Sequence, residues 1–416
     1  MNLTQLRSGF SSTFWIANTL ELFERLAFYG SKAILAKFIA DKVGLTEDAG
    51  SLTGIFSGVI YLLPILAGVL VDKYGFRKTL IACFLIFCIG YFMIGLAGMA
   101  FAQPLVESVG KYQYMLSVLL LTAVGGSLIK PCIVGTVSKT SADDVKALGF
   151  SIYYSLVNLG GAIGPVVALF VRENLGIEYV LMMSSVTSFL LCIGALLFFK
   201  EPVAAGGAEE ADVRTFRQVF SDMALVFTNF RFMLFLVIFS GFWLMFWQIF
   251  FLVPFYGTDV LHFEEFELLE TVDALGIIIL TVPMTALVSK WKPITAMSLG
   301  FIIASLSWIV IGSFNTITAT VVGIGLFALG ESIQAPRFYE YVSNLAPKNQ
   351  VGTFMGFAFL PVAIGSFTAG YISDALRLNY METNPSMMWF IVAGIGIIST
   401  LAMLAYNVFL SPKSKD

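Results

Sequence analysis

The chain has 416 residues, 58% of them hydrophobic and only 12% charged, with a formal net charge of −3 and a mean hydropathy of +0.87. Soluble domains carry roughly 25% charged residues, so an ordinary soluble fold is excluded, and recurring apolar blocks separated by short charged segments exclude one very large buried core. The net charge points to no particular partner, and no nucleic-acid partner is expected.

About 20 apolar residues cross roughly 30 Å of hydrocarbon. That ruler predicts spans at 14–40, 51–72, 79–100, 113–137, 147–171 and 178–199, then at 232–256, 267–289, 292–311, 316–344, 351–374 and 386–409. Residues 1–13 hold no cleavage pattern, so the first span reads as an uncleaved signal anchor. The polar break from Lys200 includes the run AAGGAEEA, and segment 218–231 reads as an interfacial helix. The expected organisation is therefore a six-span half at 1–199, a linker at 200–231 and a second six-span half at 232–416. With the N-terminus inside, the outer segments hold only Lys37, Lys42, Lys111, Arg172 and Arg377, and most other basic residues fall inside. The positive-inside rule then places both termini in the cytoplasm. Two six-span blocks suggest two bundles facing a central cavity, opened alternately to each side; a channel is the structural alternative.

The first span carries Glu21, Glu24, Arg25, Tyr29 and Lys32. Ionisable groups in hydrocarbon are costly and usually face a bundle interior or a water-filled cavity. Glu21 and Arg25 stand i,i+4 and share a helix face, with Lys32 further along it. A carboxylate there feels dehydration and a basic neighbour in opposite senses, so movement of Arg25 can change whether Glu21 or Glu24 holds a proton. After the second span comes Gly68-Val-Leu-Val-Asp72-Lys73-Tyr-Gly75-Phe-Arg77-Lys78. Its glycines permit close helix approach and a tight turn, and Asp72 can pair with the basic groups.

Cys83, Cys88, Cys132 and Cys192 lie in apolar blocks without metal-ligand spacing, and His262 is alone, so packing cysteines are expected, with no metal and no cofactor. Span four places Lys130 before Pro131, which can bend the helix. Span five holds Tyr153, Tyr154 and Asn158, groups suited to a polar cavity, then Gly160, Gly161 and Gly164, suited to close packing or bending. Span ten holds Glu331, Gln334, Pro336 and Arg337. A zwitterion placing its carboxylate near Lys32 and Lys130 and its amine near Glu331 would be oriented by charge-assisted bonds. No convincing nucleophile–base pair stands out, so an enzyme is not expected.

The 68–78 loop closely resembles the signature loop of the major facilitator superfamily, which implies a cytoplasmic latch made by Gly68, Asp72, Lys73, Gly75, Arg77 and Lys78. Glu21-x-x-Glu24-Arg25-Leu26-x-Phe28-Tyr29 resembles the first-helix signature of the proton-dependent oligopeptide transporter family, with Leu26 and Phe28 as departures. Lys130-Pro131 and the block from Ser151 through Tyr153, Tyr154 and Asn158 to Gly160 resemble that family's fourth and fifth helices. Glu331 to Pro336, Leu345-Ala346-Pro347 and Gly352 to Gly356 resemble its tenth-to-eleventh-helix region. The resemblance implies an all-α polytopic membrane protein of the major facilitator fold, with twelve transmembrane helices in two six-helix bundles. It implies proton-coupled symport of di- and tripeptides, with protons as the coupling ion. Glu21, Glu24, Arg25 and Lys130 match the coupling groups. Lys32 and Lys130 match the peptide carboxylate's partners, Glu331 matches the amine's acid, and Tyr29, Tyr154, Asn158 and Trp247 would line the cavity.

Span seven departs from the family in being almost wholly apolar around Trp243, Trp247 and Gln248, without a membrane carboxylate to meet the first-helix arginine; Asp273 in span eight is a candidate substitute. The linker leaves no room for the two further helices common in bacterial members. Expected partners are a small peptide or related zwitterionic solute and membrane lipid, in an inner membrane, with the chain acting as a monomer. Export of an amphipathic compound, or a non-transporting receptor, are the competing functions.

Overall fold

The computed structural model describes residues 9–142, 145–202, 216–346 and 351–410. Arg7, the AAGGAEEA run, Pro347 and the last residues of the chain lie outside them. Helix α1, Ser12–Lys37, is capped by the Ser11 hydroxyl, which accepts from Phe14 N at 3.3 Å, and it runs on as a π turn, Phe38–Lys42. It is followed by α2 (Ala49–Leu62), α3 (Pro64–Tyr74), α4 (Phe76–Leu96), α5 (Gln103–Val109), α6 (Lys111–Thr140), α7 (Lys146–Asn174) and α8 (Ile177–Phe198). Then come α9 (Phe216–Phe227), α10 (Phe230–Phe251), α11 (Glu267–Val288), α12 (Pro293–Phe314), α13 (Ile317–Leu345), α14 (Val351–Phe357), α15 (Leu360–Tyr380) and α16 (Pro385–Phe409).

Among the described residues ten helices are long and apolar enough to cross a bilayer, and the pair α2–α3 makes an eleventh, bent by 49°. The bend falls at Pro64, which brings no N–H and whose ring crowds the carbonyl one turn back. Helix α1 has 26 residues, roughly 39 Å at the helical rise, and is set apart only by its charges. Counted with it, the spans are the twelve expected, and each predicted span falls on one of these helices. Two details escaped the sequence: the breaks near residues 63 and 358, and the short helix α5 in an expected loop. The 218–231 segment begins within α9, where Val219 and Val226 are buried while Phe220, Leu225 and Phe227 are exposed.

The chain forms two compact units, Met1–Gly44 with Leu62–Val219, and Leu45–Tyr61 with Phe220–Asp416. In the first, α1 packs along α7 with α6 and α8 beside it, and α4 packs on α8 and α6. In the second, α12 packs on α13 and α16, α10 on α15 and α16, and α11 on α13. Helix α2 belongs to the first half by sequence and to the second unit by packing. Both Asp374 oxygens accept from its amino end, from Gly50 N and Ser51 N at 2.7 Å, and Ser366 Oγ donates to Gly54 O at 3.0 Å. Many large apolar side chains stay on outer faces, among them Phe170, Leu197, Ile279, Val282 and Phe409. That is the surface a lipid solvent permits.

Candidate functional site

Helical spacing brings Glu21, Glu24 and Arg25 of α1 into one buried cluster, with Lys32 buried further along the helix. Glu21, Glu24, Arg25 and Lys32 are each at most 3% exposed. Arg25 Nε stands 3.4 Å from Glu21 Oε1 and donates to Glu24 Oε2, so one guanidinium serves two carboxylates. Its charged end lies over the Phe28 ring, 4.7 Å from the centroid, a cation–π contact that partly replaces lost water. Lys32 Nζ stands 5.6 Å from the Tyr29 centroid. Lys130 of α6 and Tyr153 of α7 face the carboxylates from the neighbouring helices. With all four charged side chains ionised, Glu21, Glu24, Arg25 and Lys130 sum to zero. One added proton leaves these four groups with an excess positive charge in an apolar surround, which is costly.

The sequence resemblance named Tyr154 and Asn158 on α7. The structure places Tyr154 on an exposed face, and Asn158 Nδ2 donates to Tyr154 O at 2.8 Å. The tyrosine that reaches the charged cluster is its neighbour Tyr153, about 100° round the helix.

The 68–78 loop lies in the first unit. Gly75 sits at φ 84°, ψ 162° between α3 and α4, a conformation essentially confined to glycine. Glu201 clasps the amino end of α4, accepting from Phe76 N at 2.6 Å and Arg77 N at 2.9 Å. Arg77 Nη2 donates to Leu196 O at 2.6 Å, and Lys139 Nζ lies 4.7 Å from the Phe76 centroid. Asp72, Lys73 and Lys78 are exposed. Gly68 makes no close approach, since a Cβ added there meets nothing within 4 Å. The turn is the glycine's work at 75 only. Gly75→Ala is therefore expected to cost about 1–3 kcal/mol of stability, whereas Gly68→Ala leaves it unchanged. Thermal unfolding of the purified variants checks this, and equal melting temperatures would show that the turn accepts a side chain.

In the second unit Glu331 is half-buried on α13, beside buried Ser332, whose hydroxyl lies 3.5 Å from Thr281 Oγ1. Trp247 is wholly buried; its Nε1 donates to Val362 O at 3.2 Å and its ring stacks on Phe251. Asp273, with Glu267 and Glu270, lies on one buried stripe of α11. Arg337 donates to Glu340 and to the carbonyls of Ser289 and Trp291, tying α13 to the end of α11. Among the described residues no group of His, Cys, Asp and Glu is arranged to hold a metal.

Sequence reasoning missed Glu201 and Asp374, whose roles come from contacts with residues more than a hundred positions away. For Asp374 a signal existed: a carboxylate in the last turns of an apolar span.

This geometry defines a polytopic α-helical membrane protein with a charged cluster buried in its first span. The family model of the Major Facilitator Superfamily matches residues 20–370. The chain belongs to that superfamily, whose members are membrane carriers and not enzymes. Among curated proteins it is similar to the dipeptide and tripeptide permease B of Xenorhabdus bovienii, 29% identical over 167 residues, 39% of this chain and 32% of that protein. It is also similar to the dipeptide and tripeptide permease A of Pectobacterium carotovorum, 26% identical over 200 residues, 47% of this chain and 37% of the relative. The matched region thus spans about a third of these relatives' length. Among solved structures, a POT family transporter in complex with a thioalcohol conjugated peptide aligns at TM-score 0.78 and 16% identity, covering 96% of each chain. The peptide transporter POT in complex with sulfate aligns at 0.77 and 18%, covering 97% of this chain and 98% of that one. The likeness to these structures is one of fold.

Proposed function

We propose that the chain is a proton-coupled symporter of dipeptides, tripeptides or a related small zwitterionic solute, working by alternating access as a member of the proton-dependent oligopeptide transporter family. One observation carries the reading: two buried carboxylates share one guanidinium inside a membrane span, with Lys130 facing them. Such a group has little use in passive packing, because paired buried charges rarely stabilise more than apolar residues of similar volume. It is suited to a proton that arrives, displaces Arg25 and leaves on the other side. The permease names of the sequence relatives support the substrate class.

In this reading Glu21, Glu24, Arg25 and Lys130 couple protons. Lys32 and Lys130 hold the carboxylate end of the solute, and Glu331 holds its amine. Tyr29, Tyr154, Asn158 and Trp247 shape the path, and the Gly68–Lys78 loop is the latch. The halves 1–199 and 232–416 act as the moving bodies in one monomer, joined by the linker 200–231. The protein lies in the inner membrane with both termini in the cytoplasm.

The test is uptake by proteoliposomes under an imposed pH gradient, with a mixed peptide library set against organic cations and anions. Peptide accumulation that collapses with the gradient is the expected result; transport of amphipathic ions alone would overturn it. Glu21→Gln and Glu24→Gln are expected to lower proton-driven accumulation at least about tenfold, the effect of some 1.4 kcal/mol, while counterflow falls far less. Accumulation and pH dependence left at wild-type values in both variants would remove these residues from the coupling role.

A further inference from the structure

Glycine at position 160 is hard to account for by helix stability, since glycine inside a helix is about 1 kcal/mol worse than alanine. Its surroundings supply a reason. A Cβ built on Gly160 would lie 2.6 Å from Arg25 Cβ, 3.1 Å from Leu26 N and 3.2 Å from Arg25 C. One turn further along α7, a Cβ on Gly164 would lie 2.7 Å from Leu26 O and 2.9 Å from Gly30 N, and one on Gly30 would lie 2.9 Å from Gly164 O. The two positions differ in what they press on. Gly164 meets two backbone atoms first and Tyr29 Cβ only at 3.2 Å, whereas Gly160 meets first, at 2.6 Å, the side-chain root of Arg25, whose guanidinium joins Glu21 to Glu24.

We propose that Gly160 is a positioning residue for proton coupling: the bare backbone of α7 at this point sets how deeply Arg25 seats between Glu21 and Glu24. The inference rests on the coupling role given to that cluster. A methyl group at 160 cannot be absorbed by a flexible tip, because its closest neighbours are a Cβ and the α1 backbone. Arg25 must move by several tenths of an ångström, which disturbs its hydrogen bond to Glu24 and its 3.4 Å ion pair with Glu21. The other groups around the carboxylates are Tyr29 on α1, Lys130 and Cys132 on α6, Tyr153 on α7, and Cys83 and Tyr91 on α4, and none of them is among the atoms nearest a Cβ at 160. From α8 the group near this face is Ser184, hydrogen-bonded to Ser31 at 2.6 Å. The disturbance therefore falls on the Arg25–carboxylate bonds. A guanidinium drawn away opposes protonation of its carboxylates less, so the alkaline limb of the uptake profile moves to higher pH.

The experiment compares Gly160→Ala and Gly164→Ala in the full chain, in proteoliposomes. For Gly160→Ala the expected result is an alkaline limb displaced upward by about half a pH unit or more, roughly threefold in proton affinity, with counterflow lowered less than accumulation. For Gly164→Ala, accumulation and counterflow fall together and the limb stays in place. Infrared titration of buried carboxyl bands in the purified proteins, assigned through Glu21→Gln and Glu24→Gln, gives a reading independent of transport and is expected to move for Gly160→Ala only. An unmoved limb and unmoved bands in Gly160→Ala would overturn the proposal. So would equal displacement in both variants, or a Gly160→Ala protein that fails to assemble while Gly164→Ala assembles, since position 160 would then be a packing determinant. If Glu21→Gln and Glu24→Gln themselves leave the profile unchanged, the coupling reading fails first; if they move it and Gly160→Ala does not, this inference fails alone.

Discussion

Arg25→Ala is expected to reduce proton-driven accumulation by on the order of 100-fold or more, with the protein still inserted in the membrane. The magnitude follows from what remains. Glu21 and Glu24 are at most 2% exposed, and breaking a buried ion pair by removing one partner costs about 3–5 kcal/mol. Two carboxylates left in an apolar interior will take up a proton and keep it, so the cluster no longer cycles. Arg25→Lys should rescue little, because an ammonium is a compact, strongly hydrated point charge that tolerates a dry site less well than a guanidinium. It also loses the flat face that lies over Phe28. Uptake normalised to the amount of protein in the membrane, with counterflow alongside, measures the effect. Retention of a tenth or more of accumulation by either variant would show that the guanidinium is structural. Unlike the neutral glutamate variants, Arg25→Ala should also depress counterflow, since its loss unbalances charge in every state of the cycle.

The contrast between Glu21 and Glu201 explains how much was legible in the sequence. Glu21, Glu24 and Arg25 announce themselves because charge inside a 26-residue helix has no place in lipid, and helical spacing alone puts Glu21 and Arg25 on one face. The twelve spans were readable for the same reason: length and apolarity are local properties. Glu201 sits beside Lys200 at the start of a polar linker, where one more acid carries no signal. Its function as the clasp of α4 exists only once the chain brings residue 201 to residues 76 and 77. Tyr153 and Tyr154 show a finer limit. Adjacent tyrosines in one motif are chemically equal, and only the rotation of α7 against α1 sends Tyr153 toward Glu21. Gly68 and Gly75 show the same limit for backbone. Both glycines stand in one recognisable loop, yet only Gly75 adopts a conformation that demands glycine. The affiliation of α2 with the second unit was likewise invisible, because it depends on the pairing of Gly50, Gly54 and Ser51 with Asp374 and Ser366.

The zwitterion reading leads to the second large effect. Lys130 stands on α6 in the first unit and Glu331 on α13 in the second, each within a membrane span. If each takes one end of the solute, removing either charge strands one end of the substrate without its partner. Truncating one partner of a buried, hydrogen-bonded charge pair costs about 2–5 kcal/mol, and each 1.4 kcal/mol is about tenfold in affinity. Glu331→Gln is therefore expected to weaken binding of a free dipeptide about 30-fold or more while hardly changing affinity for its N-acetylated form. Lys130→Gln is expected to do the same for the free carboxyl end, with C-amidated peptide nearly unaffected, and Lys32→Gln should give a smaller version of that defect. Wild type should discriminate strongly against both blocked forms, and each variant should lose discrimination at one end only. Binding must be measured beside transport, because Lys130 also faces Glu21 and Glu24 and its loss can stop proton movement without touching recognition. If both residues merely brace the helices they stand on, free and blocked peptides would lose affinity in equal proportion. Selectivity ratios unchanged from wild type in Lys130→Gln and Glu331→Gln would reject the oriented zwitterion, even with every variant transporting poorly.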